Sequence, residues 1–338
     1  MAGVSEAVGP PGPRAGRLAT RPVWGGFVGL ILLTAAAGVL LDPPLQYAPL
    51  LATVLVLGVP HGAVDYLVPA RLGDVSLAAS VGLVGSAYLL LGGGYALLWF
   101  AAPVVAAGLF IALTWVHWGQ GDIHTLAVVL DAEHLERPAI RAGTLLVRGG
   151  LPMAVPLFAF PERYLTVVEA WVDPFGGGVT AEWLYAPGPR LVGGVAFGGL
   201  AVAVLVAGYR RAGATRAWRV DAAETAVLAV VFATVPPVVA VGAYFAVWHS
   251  LRHVGRVVAL DGGATTTTGG LARFVRQAAP PTALAVLLFV AFGRLIPARP
   301  PTPPAVAGLA LVFVAILTLP HVAVVTWMDH RAGVRARR

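Results

Sequence analysis

The chain has 338 residues, of which 58% are hydrophobic and 12% charged, with a net charge of +7 and no cysteine. A soluble globular domain carries about 25% charged residues, so the composition excludes an ordinary soluble protein and predicts an all-α, polytopic transmembrane helix bundle. It also excludes disulfides, thiolate metal sites and thiol catalysis, and, because every one of the 23 basic residues is arginine, a Schiff-base lysine.

Residues 1–22 are rich in Gly, Pro and Arg and end in the basic cluster Arg14, Arg17 and Arg21, which reads as a disordered cytoplasmic N-terminal tail. A transmembrane domain is expected over 23–328. Its first span is expected at 23–41, ended by Asp42-Pro43-Pro44. The second, 47–69, carries His61 and Asp65. The third and fourth, 76–100 and 103–120, are joined by a very short turn, with His117 near the end of the fourth. Residues 121–141 are polar and read as a loop or interfacial helix. Arg148 falls inside the fifth span, 142–160, and is expected to snorkel to the interface. Residues 161–190 read as a long loop whose Trp171, Trp183 and Tyr185 suit a membrane interface.

After the sixth span, 191–208, comes RRAGATRAWR, four arginines and no acid, a strong cytoplasmic marker. The apolar stretch 222–260 is too long for one crossing, which needs about 20 residues. Pro236-Pro237 lies within it, and proline both lacks the N–H and pushes the preceding residue out of the helical region. The stretch is therefore expected to divide into 222–235 and 237–258. A flexible linker at 262–270, spans at 279–296 and 304–327, and a basic tail at 329–338 complete about ten membrane segments. The arginines lie in loops and tails, so the net charge is topological and implies no nucleic-acid partner.

The positive-inside rule puts the N-terminus and the 209–220 loop in the cytoplasm, in a multi-pass arrangement expected for the cell membrane. His61 and His117 then fall in the inner halves of their spans. A return at the proline pair brings His249 and His253 to the same depth, with His321 in the last span level with them. His249 and His253 are four apart, so in a helix they share a face with Cβ atoms about 5–6 Å apart. One buried histidine is more often a hydrogen-bonded core residue than a ligand. Four at one depth in a membrane, where polar groups are costly, point to a single metal site. Neutral imidazole suits iron, copper and zinc; iron leaves open positions for oxygen, and no general base stands out for a hydrolytic zinc.

Asp65, four after His61, is placed to take that ring's second N–H, or else faces water at a helix end. His321 reads as accessory, with ligation or simple packing as alternatives. Asp122 reads as a helix-end or loop residue, and His124, His134 and His330 as exposed. Trp115, Trp118, Tyr244, Phe245, Trp248 and Trp327 either anchor the interface or line a tunnel for a long, flat, apolar substrate. A haem cytochrome or a transporter with a histidine proton relay are the competing readings. Two histidines on one helix face cannot both be axial to one haem, which weakens the first.

The motifs PHGAVD (60–65), HWGQGD (117–122), WHSLRH (248–253) and LPHVAVVTWMD (319–329) together resemble the Brp/Blh family of membrane β-carotene 15,15′-dioxygenases, over about 55–330. The resemblance implies cleavage of β-carotene at its central double bond by O2 at a non-haem Fe(II) site, giving two molecules of all-trans retinal. It implies iron on His61, His117, His249 and His253, a substrate taken from membrane lipid, and product retinal passed to rhodopsins. Lacking lysine, the chain does not itself hold retinal as a rhodopsin does.

Overall fold

Proline marks where helices begin. Six of them open on it, at Pro103, Pro138, Pro161, Pro187, Pro237 and Pro303. At the first helical position the missing N–H has no partner to lose and the fixed φ is already helical. The computed structural model describes residues 29, 42–73, 75–179, 186–259, 267–296 and 302–331, and among these no strand occurs. The N-terminal tail, nearly all of the expected first span, Trp183, Tyr185 and the last seven residues lie outside the described residues.

Ten helical elements position the site. They are α1 (Leu50–Leu72), α2 (Leu77–Ala101), α3 (Pro103–Val129), α4 (Pro138–Ala159), α5 (Pro161–Val172), α6 (Pro187–Ala212), α7 (Arg216–Thr234), α8 (237–259), α9 (Thr267–Leu295) and α10 (Pro303–Arg331). Seven candidate spans stand among the described residues, in α1, α2, α3, α4, α6, α9 and α10, by length and composition. The helical membrane bundle is as expected, while about ten segments are not confirmed among the described residues. The span at 23–41 is not described beyond Gly29. α7 carries Arg216, Arg219, Asp221 and Glu224, and α8 carries His249, Arg252, His253 and Arg256, so both are too polar to qualify.

The expected break at the proline pair is present. α7 stops at Thr234, Val235 is extended (φ −98°, ψ 137°), and α8 starts at Pro237. Residues 121–141, expected as a loop or interfacial helix, continue α3 as far as Val129 before a short 3-10 turn at Glu133–Glu136. One other expectation fails. Residues 161–190 contain α5, whose Leu165, Val168 and Trp171 recur at helical spacing and turn inward. Trp171 is buried against Phe110, with ring centroids 5.3 Å apart, and is no interface anchor. The predicted linker is shorter than expected, since Thr267–Gly270 already belong to α9.

Lipid tails are as apolar as leucine, so packing in a bilayer rests on close contact and polar ties between helices. α3 and α4 show this. A Cβ at Gly119 would strike the Leu145 carbonyl, and one at Gly149 the Trp115 carbonyl, so neither backbone approach tolerates a side chain. Trp115 Nε1 also donates to the Leu146 carbonyl at 2.8 Å across the same crossing. α10 is the most enclosed of the candidate spans and α6 the least. One core cluster gathers Trp118, Phe232, Tyr244 and Trp248; a second gathers Trp99, Phe110, Trp171 and Phe313.

Candidate metal centre and substrate cavity

Four helices bring five imidazoles together. His61 comes from α1, His117 from α3, His249 and His253 from α8, and His321 from α10. All are at most 7% exposed. The His61 ring centroid lies 5.4 Å from those of His249 and His253 and 5.0 Å from that of His321. His117 lies 4.7 Å from His249 and 4.9 Å from His321. His253 lies 5.1 Å from His321. A metal–nitrogen bond of about 2.1 Å puts a bound ring's centroid roughly 3 Å from the ion, so neighbouring rings on one ion stand about 4.5–5.5 Å apart.

Local backbone irregularity presents these side chains. Val54–Gly58 and Tyr244–Ser250 are π-helical, and each runs into a site histidine. A π-turn adds a residue per turn and re-aims the side chains beyond it, which is why such turns gather at functional sites. His61 Nδ1 donates to the Gly58 carbonyl inside its own helix, leaving Nε2 as the lone-pair nitrogen. Ser250 Oγ donates to the Phe245 carbonyl at 2.7 Å, five residues back in the same widened turn. Glycines make room: a Cβ at Gly62 would stand 3.2 Å from His321 Nδ1, and one at Gly121 3.4 Å from His249 Nδ1. The glycines of the PHG and HWGQG motifs thus admit imidazoles from other helices.

The electron pairs of the cluster are unspent. Nε2 of His117, His249, His253 and His321 is sealed from solvent and has no hydrogen-bond partner. Both nitrogens of His117 are in this state. A buried polar atom without a partner is costly, and several converging on one locus suit a shared cation. Candidate ligand atoms of His61, His117 and His321 lie within 4.8 Å of one another, as do those of Asp65, His253 and His321.

Asp65 does not serve His61, as the spacing suggested. Its Oδ2 accepts from His321 Nδ1 at 2.8 Å and from the Tyr88 hydroxyl at 2.8 Å. The reason is local: beyond Gly62 the helix loosens into a turn and the 3-10 segment Asp65–Leu67, which breaks the four-residue register.

A second polar cluster has no counterpart in the sequence reading. Asp122 is neither a helix end nor exposed. It is buried in α3, ion-paired with Arg148 (Nε to Oδ2, 2.8 Å), and accepts a hydrogen bond from Arg252 Nη1 at 3.0 Å. Glu224 of α7 pairs with the same two arginines, with Arg252 Nη2 at 2.6 Å. The four groups form a closed, neutral ring joining α3, α4, α7 and α8. Arg148 is therefore fully buried and does not snorkel. Arg252 also lies 4.0 Å from the Trp248 ring, and Trp248 Nε1 donates to Asp122 Oδ1 at 3.0 Å. The available signal was the presence of acids and arginines inside apolar runs. His134 is likewise buried, paired with Asp221 at 3.1 Å, and His124 is half-buried; His330 is exposed as expected.

Beside the histidines lies a cavity of about 940 Å³, at the upper end of the few hundred to about 1,000 Å³ typical of ligand sites. His61, His117, His249 and His321 form part of its wall, and most of the rest is apolar. Of the six aromatics singled out from the sequence, Trp118 and Phe245 line it; Tyr244 and Trp248 pack in the core behind. The exposed lining residues, among them Val81, Leu89, Leu284, Leu288 and Leu295, all belong to α2 or α9. The cavity therefore opens sideways between those two helices, onto the apolar flank of the bundle.

Fold and site together define a helical membrane-type protein with an all-nitrogen donor cluster on an apolar chamber. The profile of the β-carotene 15,15′-dioxygenase family matches residues 52–329, and the chain belongs to that family. It is 51% identical to the probable β-carotene 15,15′-dioxygenase Blh of Halobacterium salinarum, over 95% of this chain and 96% of that one. It is 30% identical to the probable β-carotene 15,15′-dioxygenase Brp of the same species, over 88% of each. No solved structure matches the chain.

Proposed function

We propose that this protein cleaves β-carotene at its central 15,15′ double bond with O2, giving two molecules of all-trans retinal, at an Fe(II) ion held by His61, His117, His249 and His253. The observation that carries the reading is the set of partnerless imidazole nitrogens on the wall of the apolar cavity. The donor set suits the ion, since imidazole is a normal ligand of non-haem iron and the site offers no thiolate. Bound iron supplies the redox chemistry of oxygen, and both oxygen atoms leave in the two aldehydes, so no further reductant is consumed.

The chain's own residues do the rest. The apolar walls exclude water and hold the polyene by its length. Trp118 and Phe245, with ring centroids 6.0 and 6.2 Å from that of His249, offer flat surfaces beside the histidines. Fixing the central bond beside the imidazoles converts an encounter into a positioned reaction. The opening between α2 and α9 admits a substrate dissolved in lipid. The protein works in the cell membrane with its N-terminus in the cytoplasm, and its product serves rhodopsins.

The test is expression in a β-carotene-accumulating cell. The full chain bleaches the colour and retinal accumulates; His117→Ala leaves the colour unchanged. Persistent β-carotene with the folded, iron-loaded wild type overturns the proposal.

A further inference from the structure

We propose that His321 is itself a ligand of the metal, a fifth imidazole oriented by the Asp65 carboxylate. This rests on the metal-site reading above and extends it to a residue of the last helix.

Three observations converge on His321. First, its ring lies 5.0, 4.9 and 5.1 Å from those of His61, His117 and His253, so it stands among the other rings and not behind them. Second, its two nitrogens are in opposite states. Nδ1 donates to Asp65 Oδ2 at 2.8 Å, whereas Nε2 is buried with no partner. A histidine serving only as a partner for Asp65 has no need to bury the second nitrogen unsatisfied among other imidazoles. Third, the carboxylate is itself fixed, because Tyr88 donates to the same Oδ2 at 2.8 Å. A carboxylate on the far N–H is the usual companion of a metal-bound histidine; it sets the tautomer and makes the ring a stronger donor.

The surrounding chain is shaped for this placement. Pro320 precedes His321 inside α10 and removes a helical N–H there. Gly62 leaves the space into which Nδ1 fits. Tyr88 opens the π-helical segment Tyr88–Gly92 of α2. The competing assignment is that Asp65 ligates directly through Oδ1, which is also buried and partnerless. The two assignments differ in what happens when each residue is replaced.

The experiment uses the detergent-purified full chain, stripped with a chelator and titrated anaerobically with Co(II). Affinity is read by chelator competition and the ligand set from the visible ligand-field bands. Wild type binds one Co(II) per chain. In His321→Ala the affinity falls more than about 100-fold, beyond the roughly 10–100-fold range for a residue that only orients a ligand, and the bands change in position and intensity. Added imidazole restores the wild-type bands in His321→Gly. Asp65→Asn weakens binding but keeps the bands. Should the alanine variant not fold, His321→Gln carries the same comparison. Unchanged bands in the His321 variants, or bands that imidazole fails to restore, overturn the assignment. Lost bands in Asp65→Asn with intact bands in His321→Ala transfer it to Asp65. A wild type that binds no Co(II) or Fe(II) sinks the metal site as a whole, a different failure from a wild type that binds and a His321 variant that binds identically.

Discussion

Asp122 accepts a hydrogen bond from Arg252 at 3.0 Å, across 130 residues of sequence. The contact ties the helix of His117 to the helix of His249 and His253, five residues from the first and next to the last. Charges taken out of water are costly unless each finds partners of opposite sign. Here each arginine meets both acids, and the ring is neutral.

Breaking that ring leaves an uncompensated buried charge. Arg252→Ala is expected to destabilise the protein by about 3–5 kcal/mol, with Glu224→Leu close behind. Thermal unfolding in detergent measures this. Replacing all four members with apolar residues of similar size should recover most of the loss; a quadruple variant no more stable than the single one would count against the account.

In the proposed site His61, His117, His249 and His253 each supply one nitrogen to the iron. Changing any one to Ala is expected to abolish retinal formation and to lower bound iron, read by metal analysis of the purified chain. Full activity in His253→Ala would refute its place in the set.

Gly121 tests the packing of a ligand without touching one. Its Cβ would press on His249 Nδ1 at 3.4 Å. Gly121→Ala should be tolerated with a small loss of iron affinity, and Gly121→Val should lose most of the iron while the chain still folds. Equal iron content in both variants would show that the imidazole has slack.

Leu284 and Leu288 edge the opening of the cavity. Leu288→Trp is expected to slow cleavage of β-carotene by about tenfold, a barrier increase of about 1.4 kcal/mol, with iron content unchanged. The same rate in wild type and variant would place the entrance elsewhere.

Much of the helical plan was legible because its signals are local. The proline pair at 236–237 announces its own break, and long uncharged runs announce α2, α6 and α10. Site legibility stopped where local register stops. The four-residue step from His61 to Asp65 presumes a continuous α-helix, and the loosening after Gly62 gives Asp65 to His321 and Tyr88 instead. The π-turns before His61 and at His249 have no marker in residue periodicity. The charge ring was hidden for another reason: Asp122, Arg148, Glu224 and Arg252 look like loop or interface residues one at a time, and only tertiary pairing makes them interior. Residues 161–172 resemble a loop in sequence because a short amphipathic helix is too polar to look like a span. The motif histidines meet as the sequence led one to expect, while the ligand role assigned to them is a matter of donor chemistry.

Under the proposed entry of substrate from lipid, the sideways opening between α2 and α9 sets the units in which this protein's kinetics are expressed. A solute reaching it from lipid is counted per lipid molecule, not per litre. At fixed total substrate and fixed enzyme, adding empty vesicles or detergent micelles should slow turnover by surface dilution, and the half-saturation point should be constant only as a mole fraction. Fluidity and leaflet composition then act on the rate as directly as temperature does on a soluble enzyme.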